Sequence, residues 1–282
     1  MPHPVIFDRR LLRSRLVRAA AIGPAPFLLD RVADDLAERL SAVLRTFDIA
    51  VDLGTPTDAV RRAIAGRVGT VAAVVADEEA LPFRDASLDL VVSALALQHV
   101  NDLPGTLIQI CRALKPDGLF LAAMIGGESL AELRAAFAEA EAEVEGGVSP
   151  RVAPFADLRD LGALLQRAGF ALPVTDVDRI TVRYASPLAL MHDLRRMGAG
   201  NALTERRRAP LRRATLRRLI EIYAGRFADP DGRIRATFEI VWLSGWAPHH
   251  SQQQPLAPGS AKTRLADALR TQEISAGEKA GR

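Results

Sequence analysis

Apolar residues recur at helical spacing over 27–45, where Leu28, Leu29, Val32, Leu36, Leu40, Val43 and Leu44 make one stripe. The pattern then changes. Ile49-Ala50-Val51-Asp52-Leu53-Gly54 is a short apolar run halted by an acid and a glycine, which predicts a buried strand. A short helix over 58–65, a second buried strand over 68–76 and a third, Leu88-Asp89-Leu90-Val91-Val92-Ser93, follow. The helix predicted over 103–114 is broken by Lys115-Pro116-Asp117-Gly118 ahead of a strand over 119–123. Beyond it the pattern predicts a long acidic helix over 129–145, a helix over 158–168 stopped by Gly169, and a strand over 177–184. An all-helical insertion (186–227, or about 186–229 with its flanks) precedes the last strand, 236–243. Strands alternating with helices predict a parallel α/β sheet. The last strand falls outside that rhythm and is expected to run antiparallel.

Composition narrows the class. Apolar residues are 49% and charged residues 25% of 282, the proportions of a globular protein, which excludes disordered, collagen-like and disulfide-stapled chains. No apolar run approaches the roughly 18 residues of a membrane-spanning helix. A net charge of +3 gives no basis for non-specific nucleic-acid binding. The single cysteine, Cys111, excludes an intrachain disulfide and a Cys-rich metal site, and places the chain in a reducing compartment, the cytoplasm. The first twenty residues carry Arg9, Arg10, Arg13, Arg15 and Arg18 against Asp8, a bias shared with organellar transit peptides, but no apolar core of a secretory signal follows. Residues 249–282 are polar and aperiodic, so the expected organisation is one domain over 1–248 and a mostly disordered tail with a short helix over 261–271.

In a parallel sheet, ligands sit at the carboxyl ends of the strands. Asp52-Leu53-Gly54, Asp77-Glu78-Glu79 and Ser93-Ala94-Leu95 fall there. Carboxylates at strand tips can accept hydrogen bonds from a ribose or an amine, and equally can cap a helix. Gln98 and His99, just past the third strand, are the candidate substrate-orienting or acid–base groups, with packing as the alternative. His249-His250 lacks carboxylate or thiol company, so no metal site is expected. Trp242, Trp246, Met191 and Met197 are expected in the core. Arg206, Arg207, Arg208, Arg212, Arg213, Arg217 and Arg218 accompany the apolar Leu211, Leu216, Leu219, Ile220 and Tyr223. That pattern predicts a helix over 206–218 and beyond with a solvated basic face, a docking surface for an acidic partner or an anionic membrane.

Asp52-Leu53-Gly54, Ala76-Asp77-Glu78-Glu79-Ala80-Leu81-Pro82-Phe83, Leu88-Asp89-Leu90-Val91-Val92-Ser93 and Leu114-Lys115-Pro116-Asp117-Gly118 resemble the successive motifs of class I S-adenosylmethionine (SAM) methyltransferases. More particular are Ile6-Phe7-Asp8-Arg9, Leu95-Ala96-Leu97-Gln98-His99-Val100-Asn101-Asp102-Leu103-Pro104, Gly126-Gly127-Glu128-Ser129-Leu130-Ala131-Glu132-Leu133-Arg134, Glu145-Gly146-Gly147-Val148-Ser149-Pro150, Ala168-Gly169-Phe170 and Ser244-Gly245-Trp246. Over roughly residues 5–260 these resemble the complex I assembly factor 5 family, close to the malonyl-acyl-carrier-protein methyltransferases. The resemblance implies a Rossmann-like seven-stranded sheet, SAM across the strand tips held by Asp52, Gly54, Asp77, Glu78 and Leu95, and a protein substrate. That substrate would be a complex I subunit, hydroxylated or methylated on arginine. It also implies that residues from Ile6 belong to the domain itself.

The pattern breaks in the first loop. Where the family has Asp-x-Gly-x-Gly-x-Gly, this chain has Asp52-Leu53-Gly54-Thr55-Pro56-Thr57-Asp58. Pro56 removes an N–H and Asp58 brings a negative charge. Residues 55–76 are also about half of what two strands and two helices need, so one strand–helix unit is expected to be missing. Three readings follow: a SAM-dependent enzyme acting on protein, a non-catalytic assembly chaperone that keeps the shell, and a small-molecule or acyl-carrier methyltransferase.

Overall fold

The computed structural model describes residues 5–74, 77–155, 157–253, 260 and 263–272. Two compact units, 1–248 and 249–282, make up the chain. The first opens with α1 (Arg9–Ile22), capped by the Asp8 side chain at the Leu11 N–H, and α2 (Phe27–Ser41), whose predicted stripe is buried from Leu28 to Leu40. Then come β1 (Phe47–Leu53), α3 (Ala59–Ala63), β2 (Val68–Val74), β3 (Leu88–Ala94) and α4 (Leu103–Ala113), followed by β4 (Leu114–Ile125), α5 (Ala131–Glu145) and α6 (Leu158–Arg167). The order closes with β5 (Ala171–Tyr184), α7 (Pro187–Arg196), α8 (Arg213–Phe227) and β6 (Ile234–Trp246). The second unit holds α9 (Leu265–Leu269), inside the predicted 261–271 helix. The rest of the tail expectation falls largely on 254–259, 261–262 and 273–282, outside the described residues.

Six strands form one sheet in the order β2-β1-β3-β4-β6-β5. β1, β2, β3 and β4 are parallel, and β6 runs antiparallel to both β4 and β5, as its place in the sequence predicts. Every residue of β3 is buried, as befits a parallel strand covered on both faces. One face carries α4 and α6 over Val91, Phe120 and Leu243; the other carries α2, α3, α5, α7 and α8 over Leu90, Leu121 and Ile240.

The sheet is one strand short of seven. β2 pairs directly with β1 over its whole length, from Phe47↔Val68 to Leu53↔Val74. The crossover between them, residues 54–67, carries only the five-residue α3 and is near the shortest a parallel connection allows. Other differences are local. Lys115 to Gly118 does not interrupt β4, because Asp117 takes φ +64 and Lys115 is fixed by two 2.9 Å bonds to Asp89. β5 starts at Ala171 rather than 177, because its first half pairs with β6 despite alternating exposure.

The insertion is not all helical, and its arginines are mostly spent. Residues 197–212 separate α7 from α8, so Arg206, Arg207, Arg208 and Arg212 precede the helix. Arg206 lies 3.2 Å from Asp8; Arg207 and Arg212 meet Glu145; Arg218 binds Glu143 and Arg226 binds Glu139. Of the predicted docking face, Arg207, Arg212 and Arg218 are thus engaged by acids of α5 and Arg206 by Asp8.

At the end of α5, Glu141 is fully buried. Burial pushes its pKa up, but hydrogen bonds from the Ser149 N–H (2.7 Å) and hydroxyl, with the Arg151 guanidinium (2.7 Å), outweigh it and hold the carboxyl below the usual range. The Gly146–Gly147 turn is thereby folded back and Arg151 is aimed inward. Glu141→Ala leaves that guanidinium without its partner and is expected to cost about 3 kcal/mol in urea unfolding.

Candidate functional site

The carboxyl ends of β1, β3 and β4 open into a cavity of about 720 Å³. Its wall at the tips is made of Gly54, Pro56, Thr57, Leu95, Ala96, Gln98 and His99, with Glu78 beside them. Ser129, Leu130 and Leu133 form the wall under β4, and α1 and α7 close it from above.

Hydroxyls replace glycines in shaping the first loop. The Thr55 hydroxyl accepts the Ala94 N–H (3.1 Å), Thr57 accepts from Ala59 (3.2 Å), and the buried Ser93 hydroxyl donates to the Leu53 carbonyl (2.7 Å). These bonds lock the tip of β1 to that of β3. Gly54 remains glycine for a visible reason: its φ is +72, and a Cβ there would lie 2.8 Å from Glu78 Oε1 and 3.1 Å from the Ala96 methyl. Leu95 (φ 53) and Leu130 (φ 56) take the same left-handed conformation without being glycine, and both line the cavity. Leu130 is held there because the Gly126-to-Leu130 loop is clamped on β6: Gly126 N–H donates to Glu239 O (2.8 Å), Leu130 N–H to Thr237 O (2.7 Å), and Ser129 bonds both N and O of Glu239.

The N-terminal segment is part of the site. Asn101 Oδ1 accepts the N–H groups of Ile6 (2.8 Å) and Phe7 (2.7 Å), and its amide returns a bond to Phe7 O. From α1, the Arg9 guanidinium enters a cluster of three carboxylates after β2: it pairs with Asp77 and Glu78 and stands 3.3 Å from Glu79. Glu79 in turn accepts the Asn101 N–H (2.7 Å).

Of the candidates read from the sequence, Gly54, Glu78, Leu95, Gln98 and His99 meet in this cavity. Asp52 and Asp77 do not line it. Asp77 is half exposed and turned to Arg9 and Arg13. Asp52 is buried behind the loop against Arg61 (3.2 Å); burial pushes its carboxyl up to about 6, opposed by Thr55 and Arg61. Gln98 donates its amide to Leu95 O (2.7 Å) while its buried Oε1 has no partner among the described residues, leaving an acceptor for a donor. His99 lies edge-on to Phe7 and Phe155, with ring centroids 5.3 and 6.4 Å away, and burial lowers its pKa to about 4, so the ring is neutral at pH 7. Sequence reasoning passed over Arg9, Asn101 and Leu130 as site residues, although each stood inside a quoted motif; nothing in their identity announced the partners they meet. His249 bonds Ser251 (2.7 Å) within the second unit, and no metal-binding group occurs among the described residues.

The fold and site define a methyltransferase-type α/β protein. A sequence model described as a methyltransferase domain matches residues 34–122. A methyltransferase-fold protein of Bacillus halodurans superposes with a TM-score of 0.51 at 17% identity, over 76% of this chain and 99% of its own. The arginine-hydroxylase NDUFAF5, mitochondrial, of Danio rerio is 37% identical over 93% of this chain and 89% of its own. The malonyl-[acyl-carrier protein] O-methyltransferase of Halorhodospira halophila is 36% identical over 85% and 88%. The chain belongs to the arginine-hydroxylase NDUFAF5 family. The methyltransferase domain supports SAM as the cofactor, and the residues present fit such a ligand: an open acceptor on Gln98, the Glu78 carboxylate, and a tip kept free of side-chain bulk at Gly54 and Ala96. Among the described residues no helix is long and apolar enough to cross a membrane.

Two titrations of opposite sign follow. Stability tied to Asp52 is complete below its unfolded pKa of 3.8 and is lost as pH rises through about 6. Stability tied to neutral His99 is present above 6.5 and is lost as pH falls through about 4. In urea unfolding, Asp52→Asn is expected to gain on the wild type by up to roughly 3 kcal/mol between pH 4 and pH 7. The His99 imidazole is expected to titrate near 4 by NMR.

Proposed function

We propose that the protein binds SAM in the strand-tip cavity and modifies an arginine of a protein substrate, a subunit of respiratory complex I during assembly. One observation carries the reading: Gly54, Glu78, Leu95 and Gln98, from three successive strand ends, converge on one wall of a cavity large enough for cofactor and a side chain. Gln98 Oε1 and the Glu78 carboxylate offer acceptors for an ammonium or ribose hydroxyls. SAM supplies an electrophilic methyl group when bound. The neutral His99 ring presents an acceptor without repelling a cationic guanidinium, and Leu95, Leu130 and Leu133 exclude water around it. The name of the NDUFAF5 relatives points to arginine as the target; addition of CH₂ or of an oxygen atom to that residue, read by mass spectrometry, separates methylation from hydroxylation.

A second reading has its own observation. Arg9 already neutralises Glu78, and Glu78 leans over Gly54. A chaperone that has left cofactor chemistry behind would look the same.

Isothermal titration with SAM and S-adenosylhomocysteine decides between them. Micromolar Kd values are expected, with Glu78→Ala weakening binding about tenfold and Asp77→Ala changing it far less, since Asp77 faces outward. No heat at millimolar ligand, with the protein folded, leaves the chaperone reading in its place.

A further inference from the structure

The cavity has a second polar end, away from the strand tips, between α1 and α7. Arg15, Arg18 and Arg195 line it. None of the three has an acidic partner among the described residues. The nearest acid acting on Arg15 is Asp8, and Asp8 is already bound by Arg206 at 3.2 Å. Arg15 Nη1 is sealed from solvent without a hydrogen-bond acceptor among the described residues. A buried guanidinium N–H left unmatched is costly and uncommon in a native protein.

The surroundings are built around that side chain. Gly200 lies flat against the guanidinium: a Cβ there would stand 3.1 Å from Nη1 and 3.2 Å from Cζ. Gly198, at φ +72, lets the same loop pass over Leu16. Arg196 fixes the loop after α1 through Gly23 O (2.8 Å) and Pro24 O (3.1 Å), so α1 is held in place without help from Arg15. Burial, then the charges of Arg206 and Arg18, lower the Arg15 pKa, with Asp8 opposing them. Arg15 is half-buried and Arg18 and Arg195 are exposed, so positive charge lines one end of the cavity with no acid paired to it among the described residues.

We propose that this end of the cavity is a binding subsite for a carboxylate-bearing ligand, with Arg15 as its principal contact and Arg18 and Arg195 supplying the field. A guanidinium fork matches the two oxygens of a carboxylate. A single negative charge also costs less to bring into a cavity walled by Leu12, Leu16 and Met197 than a phosphate dianion does. The carboxylate comes either from an acidic side chain of a polypeptide or from a free small acid. The subsite stands whether or not SAM binds at the strand tips.

Calorimetric titration of the full chain tests it with glutarate, with the peptide N-acetyl-Gly-Gly-Glu-Gly-Gly-amide, and with glutaramide as the uncharged control. Binding of glutarate or of the peptide with Kd of the order of 1 mM or tighter, and none of glutaramide, is expected; the tighter of the two identifies the source. Arg15→Gln is expected to weaken that binding about tenfold or more, while the exposed Arg217→Gln leaves it unchanged. Because Arg15 lacks a partner, Arg15→Gln is also expected to keep the wild-type Tm or raise it. The proposal is overturned if the wild type binds neither acid, if Arg217→Gln weakens binding as much as Arg15→Gln, or if Arg15→Gln unfolds the protein. It is overturned too if Arg15→Gln abolishes S-adenosylhomocysteine binding, since Arg15 would then serve the cofactor's own carboxylate.

Discussion

The Arg9 guanidinium, shared among Asp77, Glu78 and Glu79, is the contact on which the rest of the site rests. Three carboxylates in one turn repel one another, and the segment after β2 holds them together with cations from α1, Arg9 among all three and Arg13 beside Asp77. Exposed ion pairs contribute little, but Arg9 is largely withdrawn from solvent, and Asn101 fixes its approach through the backbone of Ile6 and Phe7. This clasp makes the first helix a wall of the cavity instead of a frayed terminus. Through α1 it also sets the position of Arg15, six residues further along the helix.

The other walls are fastened by the same economy of means. Glu141 gathers Ser149 and Arg151, Ser129 stitches its loop to β6, and Thr55 ties β1 to β3. In each case a short polar side chain satisfies backbone or guanidinium groups that would otherwise be buried unpaired. The segments 126–130 and 145–151 are fastened in this way, and they present Leu130 and Arg151 to the interior.

The parallel core, the antiparallel final strand and the absent unit were legible because they depend on local pattern and on chain length. The stripe of α2 and the unbroken apolar run of β3 state their burial outright. Gly54, Glu78, Leu95, Gln98 and His99 could be placed at the tips because strand ends are visible in sequence. What pattern could not supply was the pairing of distant charges. Arg9 with the 77–79 carboxylates and Arg207 with Glu145 are contacts between segments whose own periodicity says only that they are polar. The basic run before α8 therefore read as a free surface, although Arg207 and Arg212 meet Glu145 of α5 and Arg206 meets Asp8. Asp52 misled for the opposite reason: an acid at a strand tip can point behind the loop as readily as into the ligand space, and only packing decides.

Neighbouring strands of a sheet stand about 4.8 Å apart, so an open sheet behaves as a row with a fixed step. Taking an inner strand out of such a row leaves no gap; the ranks close, and whatever the edge strand carries moves in by one step. The direct pairing of β2 with β1 has done this to the carboxylates that follow β2. They stand one strand from Gly54, close enough for Glu78 to touch it, where a complete sheet would keep them two strands away. The short crossover thus shapes the cavity by position alone, bringing the edge strand's carboxylates against the tip of β1.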